Sequence, residues 1–279
     1  MGIKIITDNC CDLSQEILQQ YHIGVTHLLV RVGDRVYLPD ELSNAEFYAM
    51  QVQSSILPQT SQPSVEEMTR VYSEALEDGS EVIAIHMSSG ISGTYQGGEL
   101  ARNILENERL HVIDSKKASV GQGLLVLEAA RMAERGETAD AILQRLQEMK
   151  KRVQCIFMVG KLEYLIKGGR VSKAKGTIAE VFDIKPILYF DEEGCIMPLD
   201  KARGFKGALK KVLNIMENMG DDLSHQTVGL CHGASPETAA YLAEEIQKRF
   251  HVKEIIIGEV GPVIGAHVGP GTASVFFEK

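Results

Sequence analysis

Short apolar runs alternate with stretches of helical spacing along the first half of the chain, and this alternation restricts the fold more than any other feature. The apolar runs include 3–7, 81–87 and 110–114, and a stretch of helical spacing lies at 65–76. Strands that are apolar on both faces are typical of a parallel sheet that helices cover on both sides. We therefore expect residues 1–152 to form an α/β domain with a parallel sheet and helices on both faces.

The segment between the first two of those runs has weaker patterns. Its apolar residues predict a second strand over 25–32 and a short extra strand over 36–38. Residues 58–64 contain two prolines among polar side chains, and we expect them to form a loop. Ser64 and Glu67 have the spacing of a capping box, which predicts that a helix begins after this loop.

The second half of the chain has a different pattern. Apolar runs at 186–190 and 195–199 are joined by an acidic turn that contains glycine, and this arrangement is typical of a β-hairpin. Helical spacing predicts helices over 205–219 and 236–250. Residues 153–279 are therefore predicted to form a second α/β domain, with a mixed or partly antiparallel sheet.

The overall charge and hydropathy exclude several classes of partner. The net charge is -9, so the protein as a whole repels nucleic acid and anionic membrane surfaces. No apolar run approaches the roughly 20 residues that span a bilayer, and the N-terminus lacks the long apolar core of a signal peptide. We therefore expect a cytoplasmic protein with no stable membrane anchor and no nucleic-acid partner.

Cysteine spacing and the known cofactor fingerprints point to a chain without a metal or nucleotide. The five cysteines include no CxxC pair, so we expect reduced thiols that pack as small apolar groups, with a catalytic thiol at Cys10 or Cys11 as the alternative. No HExxH, Walker A or strand-linked GxGxxG sequence occurs. The sequence therefore predicts no metal, no cofactor, and no phosphoryl transfer by this chain alone.

A loop rich in hydroxyl groups and glycine, residues 88–96, lies between an apolar run and a stretch of helical spacing at 99–105. A helix N-terminus offers unpaired N–H groups and a partial positive charge, so hydroxyl groups beside it complete a site for a phosphate or a carboxylate. Ligands of parallel sheets bind at the carboxyl ends of strands. We therefore expect Asp8, Ser92 and Asp114 to lie near one another at that edge.

Two other stretches, 60–62 and 265–272, are polar where a fold would not require it. The second contains His267 among closely spaced glycines, which permit positive φ angles and a close approach of backbone to a ligand. Two interpretations of His267 stay open, a core histidine bonded to a backbone group and a residue that binds a ligand.

Ser92 has a second possible role, as a nucleophile. With His267 and either Asp8 or Asp114 it would complete a serine hydrolase triad. The sequence 90–93 is, however, one residue short of the nucleophile elbow GxSxG. The serine hydrolase is therefore the alternative hypothesis rather than the leading one.

Two segments are basic in this acidic chain. Each is either a solvated surface or a docking surface for an acidic or phosphate-bearing partner. The first consists of Lys161, Lys167, Arg170, Lys173 and Lys175, and the second of Lys201, Arg203, Lys206, Lys210 and Lys211.

The order and spread of these motifs over nearly the whole chain resemble the DegV family. The similar stretches are 6–8 with 12–13, 60–64, 92–96, 114–115, 167–170 and 265–271. Asn9 departs from the family pattern, which often has serine there. The resemblance implies a bacterial cytosolic protein whose two α/β domains, 1–152 and 153–279, enclose one long-chain fatty acid between them.

The same resemblance implies a role without catalysis in this chain. The best understood members are the binding subunit of a fatty acid kinase, and they present the carboxylate to a separate ATP-using catalytic subunit that makes acyl phosphate for phospholipid synthesis. Arg203 and Lys206 match the region expected to meet that kinase. The residues implied to bind the fatty acid are Thr60, Ser92, Gly93, Thr94, Arg170 and His267.

Overall fold

Three β-sheets with helices packed on them form the computed structural model, which describes residues 2–54, 56–171 and 183–279. The strands are β1 (Ile3–Asp8), β2 (Gly24–Thr26), β3 (Leu29–Val32), β4 (Arg35–Tyr37), β5 (Gln59–Ser61), β6 (Glu81–His86), β7 (Leu110–Asp114), β8 (Val153–Met158), β9 (Ile184–Phe190), β10 (Ile196–Arg203), β11 (Thr227–His232), β12 (Glu254–Glu259) and β13 (Ala273–Glu278). The helices are α1 (Gln15–Gln20), α2 (Asn44–Gln53), α3 (Val65–Leu76), α4 (Thr94–Leu105), α5 (Val120–Glu134), α6 (Ala139–Arg152), α7 (Glu163–Gly168), α8 (Gly204–Met219), α9 (Pro236–Phe250) and α10 (Pro262–Val268). Among these helices none is long and apolar enough to cross a bilayer.

The first half forms a parallel sheet in the order β2-β1-β6-β7. Successive side chains point to opposite faces, so Ile5 and Ile83 pack in one core while Ile6 and Val82 pack in another. Helices α3 and α4 cover the second face, and α5 covers the first. This arrangement confirms the predicted parallel sheet with helices on both faces.

The second half forms a mixed sheet in the order β10-β9-β8-β13-β11-β12. Strands β11 and β12 are parallel neighbours, and the other pairs are antiparallel. The pair β9–β10 is the predicted hairpin, with a break in register between Pro198 and Asp200. The mixed character of this sheet confirms the prediction for the second half.

Helix α5 packs between the two large sheets, because it contacts β1 and β6 on one side and β8, β11 and β12 on the other. Its residues are buried nearly all round, as expected for a helix without a polar face. Gly121 lets the helix approach Phe276, whose ring a Cβ would meet at 2.7 Å. One hydrophobic core therefore runs through both halves, from Ile5 to Phe276. The division into domains at residue 152 stays a prediction.

A small antiparallel sheet, β4-β3-β5, corrects two predictions. Residues 25–32 are not one strand, because β2 joins the parallel sheet and β3 joins the small one. The chain turns between them at Leu28, whose N–H donates to Asn9 Oδ1 at 2.9 Å and whose carbonyl accepts from Asn9 Nδ2 at 3.0 Å. The predicted loop 58–64 contains β5, because its backbone pairs with β3 between the two prolines.

The predicted capping box at the start of α3 is half correct. Ser64 Oγ accepts the Glu67 N–H at 3.1 Å, as expected of an N-cap residue. The Glu67 carboxylate, however, accepts the backbone N–H of His27 at 3.0 Å. Glu67 therefore ties α3 to the turn between β2 and β3 instead of completing the box.

Candidate functional site

A cavity of about 700 Å³, open solvent at its mouth included, lies between the carboxyl edge of the parallel sheet, the β9–β10 hairpin and α10. The apolar lining residues are Leu28, Met87, Ile91, Ala118, Cys155, Phe157, Leu165, Phe190, Ile196, Val260, Val263, Ile264, Val268 and Phe276. The polar lining residues are Thr60, Ser92, Ser119, Arg170, His267, Thr272 and Ser274.

Four of the predicted ligand-binding residues line this cavity although they come from distant segments. Thr60 lies on β5, Ser92 on the loop before α4, Arg170 just after α7, and His267 on α10. Thr60 Oγ1 and His267 Nε2 form a hydrogen bond of 2.8 Å across 207 positions of sequence. The structure therefore brings together the three polar stretches that the sequence singled out.

The loop that carries Ser92 leads into a helix N-terminus, as predicted, but α4 begins at Thr94 rather than at residue 99. Ser92 Oγ lies 2.8 Å from Thr94 Oγ1 and accepts the Thr94 N–H at 3.3 Å. Gly93 is the N-cap residue. Thr94 is fully buried, and neither it nor Gly93 is among the residues that line the cavity. Of this group, only Ser92 faces the cavity directly.

His267 is a half-buried neutral histidine. Burial lowers the pKa of its imidazole from 6.5 to about 4, and the nearby charge of Arg170 adds to this effect. The interpretation of a histidine bonded to a backbone group is wrong for Nε2, which bonds the Thr60 side chain. The second nitrogen, Nδ1, is buried beside Gly168 and has no hydrogen-bond partner among the described residues. A Cβ at Gly168 would clash with this nitrogen, so glycine is required there.

Arg170 supplies a positive charge at the same end of the cavity. Its described hydrogen bonds go to backbone carbonyl oxygens, from Nε to Ile91 at 3.3 Å and from a terminal nitrogen to Gly168 at 2.7 Å. Burial lowers the pKa of the guanidinium, but arginine keeps its charge in proteins. These two bonds link the cation to the loop that carries Ser92 and to Gly168, which lies against His267.

The glycines near His267 have two different roles. Gly269 and Gly271 have φ angles of 70° and 78°, as the sequence predicted for glycines in this stretch. Gly265 instead lies within α10, where a Cβ would meet the Phe47 ring at 2.8 Å. It allows α10 to pack closely on α2 and so fixes where His267 lies.

The relation to known proteins agrees with this geometry. A model of the DegV family, described as an uncharacterised protein family, matches residues 2–279. The chain belongs to the DegV family. A DegV domain-containing protein of Caldanaerobacter subterraneus is 34% identical over 278 residues, which cover 99% of both chains.

Solved DegV structures share the whole fold. A fatty-acid-binding DegV family protein from Thermus thermophilus superposes with a TM-score of 0.93 at 31% identity, over 100% of both chains. DegV from Bacillus subtilis, described as a fatty acid binding protein, has a TM-score of 0.90 at 32% identity, over 99% of this chain and 98% of that one. These likenesses confirm both the family indicated by the motifs and the α/β fold.

The hydrolase triad is not assembled in this DegV chain. His267 bonds Thr60 rather than Ser92. The Asp8 carboxylate accepts the Met87 N–H at 2.9 Å and contacts His86 Nδ1 at 3.0 Å. It is therefore already bonded to residues at the carboxyl edge of the parallel sheet. Asp114 accepts backbone N–H groups of the loops at this edge. The serine hydrolase interpretation is therefore not favoured.

Four of the five cysteines are buried, as expected of packed thiols. Cys10 and Cys11 are buried, and burial raises the pKa of both thiols, that of Cys11 to about 12. A thiol with a raised pKa is a poor nucleophile at neutral pH, so the catalytic alternative for these cysteines is not supported. Within the described ranges no three His, Cys, Asp or Glu side chains are grouped as a metal site requires.

The two basic segments have different surroundings. Lys173 and Lys175 of the first lie outside the described residues. In the second, Arg203 ends β10 with its side chain 84% exposed, 3.4 Å from Asp183, while Lys206 lies exposed on α8. Lys211 pairs with Asp200 at 2.9 Å. Asp183 and Asp200 therefore lie beside the second basic segment in the fold, although residues 201–211 contain no acidic side chain. Arg203 and Lys206 stay accessible.

Asp12 is a half-buried acid, and the sequence did not predict its environment. Its carboxylate accepts the Ser119 hydroxyl at 2.6 Å and the Gly261 N–H at 3.0 Å. Burial raises the pKa of Asp12 from 3.8 to about 7. Its partner Ser119 lines the cavity with a φ of 57°, which is uncommon outside glycine. A carboxyl group in a family motif was the available signal, but the sequence does not show which carboxyl groups become buried.

Proposed function

We propose that this chain binds one long-chain fatty acid, with the carboxylate at the polar end of the cavity and the hydrocarbon tail along its apolar wall. The observation that carries this proposal is the composition of a single cavity. Hydroxyl, imidazole and guanidinium groups meet at one end, formed by Thr60, Ser92, His267 and Arg170. Most of the remaining lining is aliphatic or aromatic. The solved relatives described as fatty-acid-binding proteins support the same ligand class.

The polar end suits a carboxylate. The hydroxyl groups of Thr60 and Ser92 can each donate a hydrogen bond, and a neutral His267 can donate one from a ring N–H. Arg170 adds a positive charge close to them. Gly93 and Thr94 contribute the N-terminal end of α4, whose partial positive charge favours an anion. Together these groups form the proposed carboxylate site.

The tail dominates the free energy of binding in this proposal. Burial contributes about 0.8 kcal/mol per methylene, so a chain of about 15 methylenes gains roughly 12 kcal/mol before the costs of association. Each charge-assisted hydrogen bond contributes about 1.5–3 kcal/mol. The apolar wall therefore holds the ligand, and the polar end determines its orientation.

We further propose that the chain presents the carboxylate to a separate ATP-dependent kinase, which forms the acyl phosphate. The motif series supports this role, and the absence of a nucleotide fingerprint from the sequence is consistent with a second protein that binds ATP. The exposed side chains of Arg203 and Lys206 are the proposed contact for this partner.

Lipid extraction and native mass spectrometry of the purified protein test the binding proposal. We expect one long-chain fatty acid per chain, either copurified or bound on addition. Thr60→Val removes one hydroxyl with little change of volume and should weaken binding. Thr69→Val is the control, because it removes a hydroxyl on α3 that bonds the Val65 carbonyl and does not line the cavity. A wild-type protein that binds no fatty acid would contradict the proposal.

A further inference from the structure

The tip of the β9–β10 hairpin packs on the loop that carries Ser92. We call residues 191–195 the hairpin tip and residues 88–92 the serine loop. Ser88 Oγ donates to the Gly194 carbonyl at 2.7 Å and accepts the Gly90 N–H at 3.1 Å. A single buried hydroxyl group therefore joins the mixed sheet to the serine loop of the parallel sheet.

Two glycines make this contact possible. A Cβ on Gly90 would overlap the Gly194 carbonyl group, and a Cβ on Gly194 would overlap Ser88 Oγ. Gly194 also has a φ of 73°, which favours glycine. The backbones of the hairpin tip and the serine loop thus approach too closely for any other residue at either position.

Further contacts fix the hairpin tip on the loop. Lys116 Nζ donates to the Glu193 carbonyl at 3.3 Å and to Ser89 Oγ at 3.1 Å, so it spans both segments. Within the tip, the Asp191 side chain accepts the Cys195 N–H at 2.8 Å. The contact is therefore an ordered structure rather than a chance approach of two loops.

The backbone of Ser88 determines where Ser92 lies. The N–H groups of Ile91 and Ser92 both donate to the Ser88 carbonyl, each at 3.2 Å. Ser88 itself is fully buried and is not part of the cavity lining. It can therefore affect a ligand only through the residues of the serine loop.

The same hairpin also forms part of the cavity wall. Phe190 and Ile196 lie on either side of the hairpin tip, and both line the cavity. The β9–β10 hairpin would therefore contact the hydrocarbon tail through Phe190 and Ile196, and its tip holds the serine loop.

We propose that Ser88 is a positioning residue, which the Gly194 carbonyl holds in place so that the Ser92 hydroxyl faces the ligand carboxylate. This inference rests on the proposed fatty-acid function and adds to it the contact that orients the carboxylate site.

Affinity for palmitic acid and for 1-hexadecanol, measured on the same variants, tests the inference. The two ligands share a hydrocarbon chain and differ in the head group. We expect Ser88→Ala to weaken palmitic acid binding about tenfold, as for loss of one charge-assisted hydrogen bond. Binding of the alcohol should change by less than about twofold, since the tail supplies most of its affinity. The acid-to-alcohol affinity ratio should therefore fall.

Ser235→Ala is the matched control, because Ser235 is also buried and its hydroxyl also donates to a backbone carbonyl, that of Gly233 at 3.1 Å. We expect it to leave the affinity ratio unchanged. Asp191→Ala removes the acceptor of the Cys195 N–H at a less buried position of the hairpin tip. It should also lower the acid-to-alcohol affinity ratio. The test therefore remains possible if Ser88→Ala does not fold.

Equal loss for both ligands, or an unchanged ratio in Ser88→Ala and Asp191→Ala, would overturn the positioning role. A wild-type protein that binds neither ligand would instead contradict the proposed function. The two failures are therefore distinguishable.

Discussion

Two histidines, the fully buried His86 and the half-buried His267, differ in whether both ring nitrogens have hydrogen-bond partners. His86 is fully buried, with Nδ1 3.0 Å from Asp8 and Nε2 bonded to the Tyr72 hydroxyl. His267 bonds Thr60 through Nε2, leaves Nδ1 without a partner in the described part of the chain, and faces a cavity. A closed polar network stabilises a fold, whereas an incomplete one beside a cavity is suited to a ligand.

The largest expected effect follows from opening the closed network. Asp8→Ala removes the acceptor of the Cys10 and Met87 N–H groups and leaves Nδ1 of His86 without its partner. We expect the free energy of unfolding to fall by roughly 3–5 kcal/mol, the cost of removing one member of a buried pair. Urea denaturation followed by circular dichroism measures this change.

Asp140→Ala is the control for this variant, because Asp140 is exposed in the first turn of α6. Its effect should stay within about 0.5 kcal/mol, as for most surface substitutions. A loss of the same small size in Asp8→Ala would mean that the buried network contributes little to stability.

The sequence predicted the parts of the fold that depend on residues close together in the chain. The alternation of strands and helices indicated the parallel sheet, and the acidic turn before Cys195 indicated the hairpin. Both depend on residues close in sequence. The division of 25–32 between two sheets was missed, because it depends on the Asn9 side chain binding the Leu28 backbone from 19 residues away.

The candidate site was predictable in its residue types but not in its pairings. Polar stretches without a structural need indicated Thr60, Ser92 and His267, yet no local signal indicates that Thr60 bonds His267 across 207 residues. His86 was not singled out, because it ends a strand of apolar residues and its partner Asp8 lies 78 residues away. Packing decides which histidine is enclosed and which faces a cavity.

Asp12 and His267 give the pH dependence of stability two opposite components. The folded chain keeps the Asp12 proton to about pH 7, whereas the unfolded chain loses it near 3.8, so this group lowers stability as the pH rises between those values. His267 has a pKa of about 4 when folded and 6.5 when unfolded, so it lowers stability as the pH falls through that range. The upper limits are roughly 4.5 kcal/mol for Asp12 and roughly 3.5 kcal/mol for His267.

Single variants should separate the two components. Between about pH 4 and 6.5, the stability of Asp12→Asn should rise relative to wild type as the pH increases, and that of His267→Gln should fall. Free energies of unfolding from urea titrations at several pH values give both slopes. Curves parallel to that of the wild type would contradict the pKa shifts produced by burial.

The comparison of the two histidines is sharpest in a matched pair of substitutions. His267→Gln should weaken fatty-acid binding about tenfold, because the flexible glutamine amide does not hold a donor where the imidazole ring holds one in the carboxylate site. At neutral pH its free energy of unfolding should change by no more than about 1 kcal/mol, since one bond to Thr60 is lost. Isothermal titration calorimetry and urea denaturation measure the two quantities.

His86→Gln should have the reverse pattern, with a loss of stability of roughly 2–4 kcal/mol, because one amide cannot replace both ring nitrogens and Asp8 or Tyr72 then loses its buried partner. The fraction that remains folded should bind the ligand with unchanged affinity. The distinction between a structural and a ligand-binding histidine fails if both variants lose affinity and stability in the same proportion.

The smallest expected effect on this chain itself belongs to Arg203→Glu. The Arg203 side chain is 84% exposed, and its ion pair with Asp183 contributes at most about 1 kcal/mol at a surface position. Fatty-acid affinity should stay unchanged, because Arg203 does not line the cavity. Acyl phosphate formation with the proposed kinase partner and ATP should decrease, since reversal of the charge opposes an acidic docking surface.

Lys248→Glu reverses an exposed charge on α9 and serves as the control. Equal losses in both variants would point to net charge rather than to the second basic segment, and no loss in Arg203→Glu would remove that segment from the proposed contact.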